Sequence, residues 1–164
     1  MTDHAPMNVL FLCNTNCGRS LFAEAILNRD WGGKFRGFSA GTRPAVAANP
    51  VAVDLLAKLG HDTAGLAPKD WGVFRKPEAP SFDFVFTLCD DAADEPCPAW
   101  PGNPVTGHWS IPAPGRVTGN EVEIYAAYEE AYGMIRRQLA MFTSLPIREL
   151  DRMSLHHHVR GLAD

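Results

Sequence analysis

Long apolar runs are missing from this 164-residue sequence: no window of about 18 consecutive apolar residues occurs, so nothing in it reads as a bilayer span. Cysteine is scarce at four residues, too sparse for a disulfide scaffold, and in a reducing compartment such residues rest as thiols. Basic residues are outnumbered, 15 Lys and Arg against 19 Asp and Glu. The resulting net charge of −4 argues against nucleic acid or an anionic membrane surface as the main partner. A small anion is not excluded, because a local backbone site overrules net charge. Residues 1–7 lack the charged start, apolar middle and small-residue cleavage site of a secretory signal, so a cytoplasmic location is expected. No internal repeat, low-complexity tract or interdomain linker interrupts the chain, and 46% hydrophobic with 21% charged residues excludes wholesale disorder. One domain over residues 1–164 is expected, with its core at about 8–150 and residues 151–164 as a tail.

What is present alternates between two periodicities. Residues 8–12 are a short apolar strand-like run ending at Cys13; turn formers follow, and then Leu21, Phe22, Ala25 and Ile26 fall on one helical stripe. A weaker strand spans residues 34–39. Asn49 and Pro50 read as an N-cap and a first helical position, with Leu55, Leu56 and Leu59 as the apolar face and Gly60 as the stop. Residues 82–88 form a buried strand ending at Cys89, and residues 105–109 a last one. Tyr125, Tyr128, Tyr132, Ile135, Leu139 and Phe142 make a core-facing stripe on a helix over residues 121–142. Such alternation predicts an α/β fold, a three-layer α/β/α arrangement with a four-stranded parallel sheet. Ligands of such sheets bind beyond the carboxyl ends of the strands, where Cys13 and Cys89 both fall. The proline-rich stretches at 77–80 and 96–114 read as long loops of the same domain.

The segment Cys13, Asn14, Thr15, Asn16, Cys17, Gly18, Arg19, Ser20 has the spacing Cys, five residues, Arg. Between a strand and a helix, successive backbone N–H groups converge on one point and the helix N-terminus adds partial positive charge. Arg19 brings a planar fork suited to two oxygens of a tetrahedral oxyanion. The same field favours the thiolate of Cys13, the nucleophilic form, and the Ser20 hydroxyl lies in sequence where it can donate to that sulfur. Gly18 permits a tight backbone and Asn16 tolerates positive φ. The bland alternative makes Cys13 a small buried hydrophobe and Arg19 a surface cation; an apolar strand before and an amphipathic helix after favour the anion site.

These features, with Ala23, Glu24 and Ala25 on the helix, resemble the low-molecular-weight protein tyrosine phosphatase fold, and within it the thioredoxin-coupled arsenate reductases. The resemblance continues through residues 38–41, Gly60, His61 and Asp62, then residues 87–90 with Cys97 and Pro98, then His108 and Trp109. It implies that Cys13 attacks arsenate, that Cys89 then attacks Cys13 and releases arsenite, and that Cys97 attacks Cys89 to leave a disulfide that thioredoxin reduces. Phosphate and sulfate are the implied mimics of arsenate. In some such reductases a potassium ion lies behind the loop; the matching positions are Asn16, Glu24, Ser39 and Asp62, all oxygen-bearing, and ordinary capping and turn bonding is the alternative account. No tightly bound cofactor and no other metal site is expected. Cysteine spacings of three and seven intervening residues are not usual zinc pairs, and three consecutive histidines at 156–158 cannot all face one centre on a regular element.

Two departures bear on activity. The reductases usually carry an Asp-Pro pair after His-Trp, its Asp acting as general acid; here Ala113 precedes Pro114. Loss of a general acid typically costs about 10²- to 10⁴-fold in rate, and Asp90, Asp91, Asp94 and His108 are the neighbouring candidates to replace it. Cys17, where the family usually has serine, adds a thiol four residues from Cys13; it is either a competing disulfide partner or a passive residue contributing its N–H. Two other functions therefore stand beside arsenate reduction: a low-molecular-weight phosphatase, and a catalytically weak oxyanion-binding or regulatory module.

Overall fold

The computed structural model describes residues 6–16, 18–88, 104–147 and 159. The apolar run becomes β1 (Met7–Cys13), the centre of a four-stranded sheet of order β2-β1-β3-β4 with β2 (Phe35–Gly41), β3 (Phe84–Thr87) and β4 (Val105–His108). All three pairings are parallel, as the alternation of strands and helices predicts. Because side chains alternate across a strand, β1 feeds two cores. Val9 and Phe11 join the larger cluster, while Leu10 and Leu12 pack with Ala40, Phe74, Phe82 and Val85.

The larger cluster takes the buried faces of α1 (Arg19–Asp30), α2 (Pro50–Lys58) and α3 (Glu121–Thr143). Asn49 caps α2 by accepting from the N–H groups of Val51 and Ala52, with Pro50 first in the helix, and Gly60 follows its end with φ +87°. Asn120 and Glu123 close a reciprocal capping box at the start of α3. Aromatic packing seals α3 to the sheet: Phe142 lies 4.8 Å from Phe84 and 5.0 Å from Phe86, centroid to centroid, and Trp109 stacks on Phe86 at 4.2 Å. The smaller cluster is covered by a 3₁₀ turn, Trp71–Phe74. Among the described residues no helix is long and apolar enough to cross a membrane.

β1 ends at Cys13 and β3 at Thr87, side by side, with Leu12 paired to Thr87. The chain therefore delivers both segments to one end of the sheet, the end where parallel α/β folds bind ligands.

Candidate active site

Five residues separate the end of β1 from the start of α1, and the carbonyls of that loop are fixed from outside. Thr42, Arg43 and Ala45 donate their backbone N–H groups to the carbonyls of Cys13, Asn14 and Thr15 at 3.2, 2.7 and 2.9 Å. In a planar trans peptide the N–H points opposite to the C=O. Turning these three carbonyls toward residues 42–45 thus turns the N–H groups of Asn14, Thr15 and Asn16 away from them. Asn16 is fully buried with φ +52°, a left-handed conformation that asparagine tolerates. Its side chain holds it there: Nδ2 donates to Ser20 Oγ at 2.7 Å, and Oδ1 accepts from the Lys69 N–H at 2.8 Å. Gly41 is required beside it, since a Cβ there would stand 2.7 Å from the Asn14 carbonyl oxygen and 3.1 Å from the Asn16 nitrogen.

Cys13 is 2% exposed and lines a cavity of about 220 Å³ with Asn14, Thr15, Gly18 and Arg19. Its Sγ lies 3.8 Å from Asn14 Oδ1, which also accepts the Thr15 N–H at 2.9 Å. Gly18 is the N-cap of α1, so no cap side chain consumes the first-turn N–H groups, and no acidic residue occupies that turn. The positive end of the helix is left to the cavity. Arg19 Nη1 donates to the Ile111 carbonyl at 2.6 Å, using one of its five N–H donors to bring the segment after β4 over the loop. That segment contributes Ala113, Pro114, Gly115 and Arg116 to the cavity. The methyl of Ala113 therefore lies where the family resemblance places an acid.

Asn49, Arg116 and Tyr128 complete the wall. Asn49 reads from sequence as a cap and Tyr128 as a core residue; each is that and a cavity residue as well. Tyr128 is 4% exposed and packs edge-on against Phe22 at 6.4 Å. A stripe shows which residues leave water, not whether a cavity opens on their far side. For Arg116 the available signal was its position three residues after Ala113.

His108 is absent from the described lining residues; its Nδ1 is 2.7 Å from Thr87 Oγ1. Ser20 is buried and bonded to Asn16. Cys17, Cys89, Cys97, Asp90, Asp91, Asp94 and residues 156–158 lie outside the described residues.

Of the four positions matched to potassium, Glu24 and Ser39 meet, Ser39 Oγ donating to Glu24 Oε1 at 2.7 Å. Lys69 already supplies a cation there, its Nζ 3.8 Å from the same oxygen and bonded to the Ala67 carbonyl at 2.7 Å. Burial raises the Glu24 carboxyl above its ordinary pKa, against the opposing pull of Ser39 and Lys69. Asn16 is engaged as above, and Asp62 is exposed and accepts the Ala64 N–H within its own turn. This donor set does not fit a potassium ion: the carboxylate has its counter-charge, and the fourth residue serves another turn.

Residues 8–153 match the family described as low molecular weight phosphotyrosine protein phosphatase. The chain belongs to that family. The arsenate reductase of Bacillus subtilis (strain 168) is 31% identical over 134 residues, covering 82% of this chain and 93% of that protein. Among solved structures, an arsenate reductase in the phosphate binding state superposes with a TM-score of 0.66 at 22% identity, covering 82% of this chain and 94% of the other. A thioredoxin-dependent arsenate reductase of Corynebacterium glutamicum superposes with a TM-score of 0.59 at 25% identity, over 85% of this chain and 63% of its own. The family's fold is the α/β sheet described above, and these relatives are arsenate reductases, as the sequence motifs imply.

Proposed function

We propose that this chain is a thiol-dependent arsenate reductase. The observation that carries the reading is that Leu88, the residue before Cys89, donates its N–H at 2.9 Å to the carbonyl of Leu12, the residue before Cys13. Leu12 and Leu88, which precede the two cysteines in the sequence, are thus backbone neighbours at the ligand-binding end of the sheet. A phosphatase of this fold needs only the loop cysteine, the arginine and a general acid, and has no use for Cys89 and Cys97.

In the proposed sequence, the Cys13 thiolate attacks As(V). An S–As bond forms, an As–O bond breaks, and the departing oxygen leaves as water once protonated. Arg19 and the loop N–H groups hold the remaining oxygens. Cys89 as thiolate then attacks Cys13 Sγ; the S–As bond breaks and its electron pair stays on arsenic, releasing arsenite. The two cysteines are left oxidised as a disulfide. Cys97 attacks Cys89 Sγ, returns Cys13 as thiolate and leaves a Cys89–Cys97 disulfide. An external dithiol reduces it, and the thioredoxin-dependent C. glutamicum relative supports thioredoxin in that role. The loop of seven intervening residues closes at small entropic cost.

The test is NADPH consumption by purified protein with thioredoxin and thioredoxin reductase on addition of arsenate. Cys89→Ser and Cys97→Ser should abolish turnover. If the wild type hydrolyses aryl phosphates and those substitutions leave hydrolysis intact, it is a phosphatase instead. Ala113 in the cavity wall favours one further reading, an oxyanion-binding module; arsenate or phosphate raising the melting temperature with neither activity present would establish it.

A further inference from the structure

With a methyl at position 113, the described cavity wall carries a thiol, an alkyl hydroxyl and a phenol, on Cys13, Thr15 and Tyr128. Cys13 is the nucleophile and an alkyl hydroxyl is a far weaker acid than a phenol, so among the described wall residues the proton source is Tyr128. Its placement follows from the glycines around it. Ring atom Cε1 lies 3.8 Å from where a Cβ on Gly18 would stand, and the hydroxyl 3.5 Å from where one on Gly115 would stand. The phenol therefore runs along the wall from the N-terminus of α1 to the turn beside Ala113, and its oxygen ends at the turn that lacks the acid. Arg19 and Arg116 line the same cavity and favour negative charge on anything that loses a proton there.

We infer that the Tyr128 hydroxyl is a substrate-contacting group: it donates a hydrogen bond to the oxyanion held by the loop and, when arsenate reacts, protonates the departing oxygen. The inference deepens the arsenate reading and rests on it for the second half. The step balances. Monohydrogen arsenate and the Cys13 thiolate form one S–As bond and break one As–OH bond. The leaving hydroxide takes the phenolic proton and departs as water, and the Tyr128 phenolate recovers its proton from solvent.

Tyr128 also packs in the core, through its ring. Tyr128→Phe keeps the ring and the edge contact with Phe22 and removes the oxygen alone. Binding of inorganic phosphate by titration calorimetry should weaken roughly tenfold, the loss of one hydrogen bond to a charged ligand. In the thioredoxin-coupled assay kcat should fall about 10- to 100-fold with a smaller change in KM, and Ala113→Asp added to Tyr128→Phe should restore turnover while phosphate affinity stays reduced. Phosphate affinity and kcat equal to wild type in Tyr128→Phe would overturn the inference. Should the wild type fail to reduce arsenate, the reductase reading falls, and the phosphate titration still decides whether Tyr128 contacts the oxyanion.

Discussion

Arg19 donates from Nη1 to the carbonyl oxygen of Ile111 at 2.6 Å, joining the first turn of α1 to the segment that carries Ala113 and Arg116. One guanidinium thus lines the cavity and ties down the wall opposite it, and under the proposed function it holds the anion as well. Arg19→Lys keeps the charge and loses the planar fork, so it should fail at both. Phosphate affinity is expected to fall about 10- to 100-fold, the worth of one or two charge-assisted hydrogen bonds. Calorimetric titration checks the affinity, and faster amide exchange at residues 111–116 in the variant checks the tie.

Asn16 bears the loop's left-handed turn and two buried hydrogen bonds. Asn16→Ala leaves the Ser20 hydroxyl and the Lys69 N–H without that partner and places a residue less tolerant of positive φ. At about 1–3 kcal/mol for each buried group deprived of its partner, a loss of about 3 kcal/mol is expected. For a chain of this size that lowers the melting temperature by roughly 6–12 °C. Asn16→Gly removes the dihedral penalty and should recover only a minor part of the loss. Differential scanning calorimetry of the pair separates backbone strain from hydrogen bonding.

Gly41→Ala tests the close approach of β2 to the loop. A methyl 2.7 Å from the Asn14 carbonyl must push the loop aside. Phosphate binding should drop at least tenfold while the protein remains folded, because most of the core lies away from this contact. Circular dichroism and phosphate titration, read together, give the two halves of that expectation.

Much of this arrangement is legible in the sequence because it is local. The run over residues 8–12, the Asn49–Pro50 start of α2 and the stripe on α3 each declare themselves within a few residues. The Cys-to-Arg spacing between strand and helix likewise points to the anion loop. The far wall of the cavity is not local. Tyr128 sits in an apolar stripe indistinguishable by spacing from Tyr132, yet Tyr132 meets His61 and Arg29, and Tyr128 meets the cavity. Lys69 lies far along the chain from Glu24 and reaches it only once the segment carrying Lys69 pairs beside Gly41. Asp62, assigned to the same oxygen cluster by resemblance, closes a turn of its own.

The His61–Tyr132 pair sets a pH dependence. His61 Nε2 is 2.7 Å from the Tyr132 hydroxyl, and burial, followed by the nearby Arg29 charge, holds the imidazole below its ordinary 6.5. The unfolded chain then takes the proton first as pH falls. The contribution to stability is complete above about 6.5 and lost as pH drops through the folded value. Burial raises the Tyr132 phenol, so its contribution is complete below about 10 and lost as pH climbs through the raised value. Urea unfolding from about pH 7.5 to about pH 5 should show a shallower decline in His61→Asn than in wild type. Parallel declines would remove His61 from the account.

The three backbone rungs from residues 42–45 to the carbonyls of Cys13, Asn14 and Thr15 are made by the protein's own backbone and need no ligand to form. They fix the loop's peptide planes from outside, so an oxyanion would have to displace Asn14 Oδ1 from the Thr15 N–H but would spend little of its binding energy on ordering the backbone. Association should then be limited by diffusion and charge steering instead of a folding step, with rate constants that fall as salt is added.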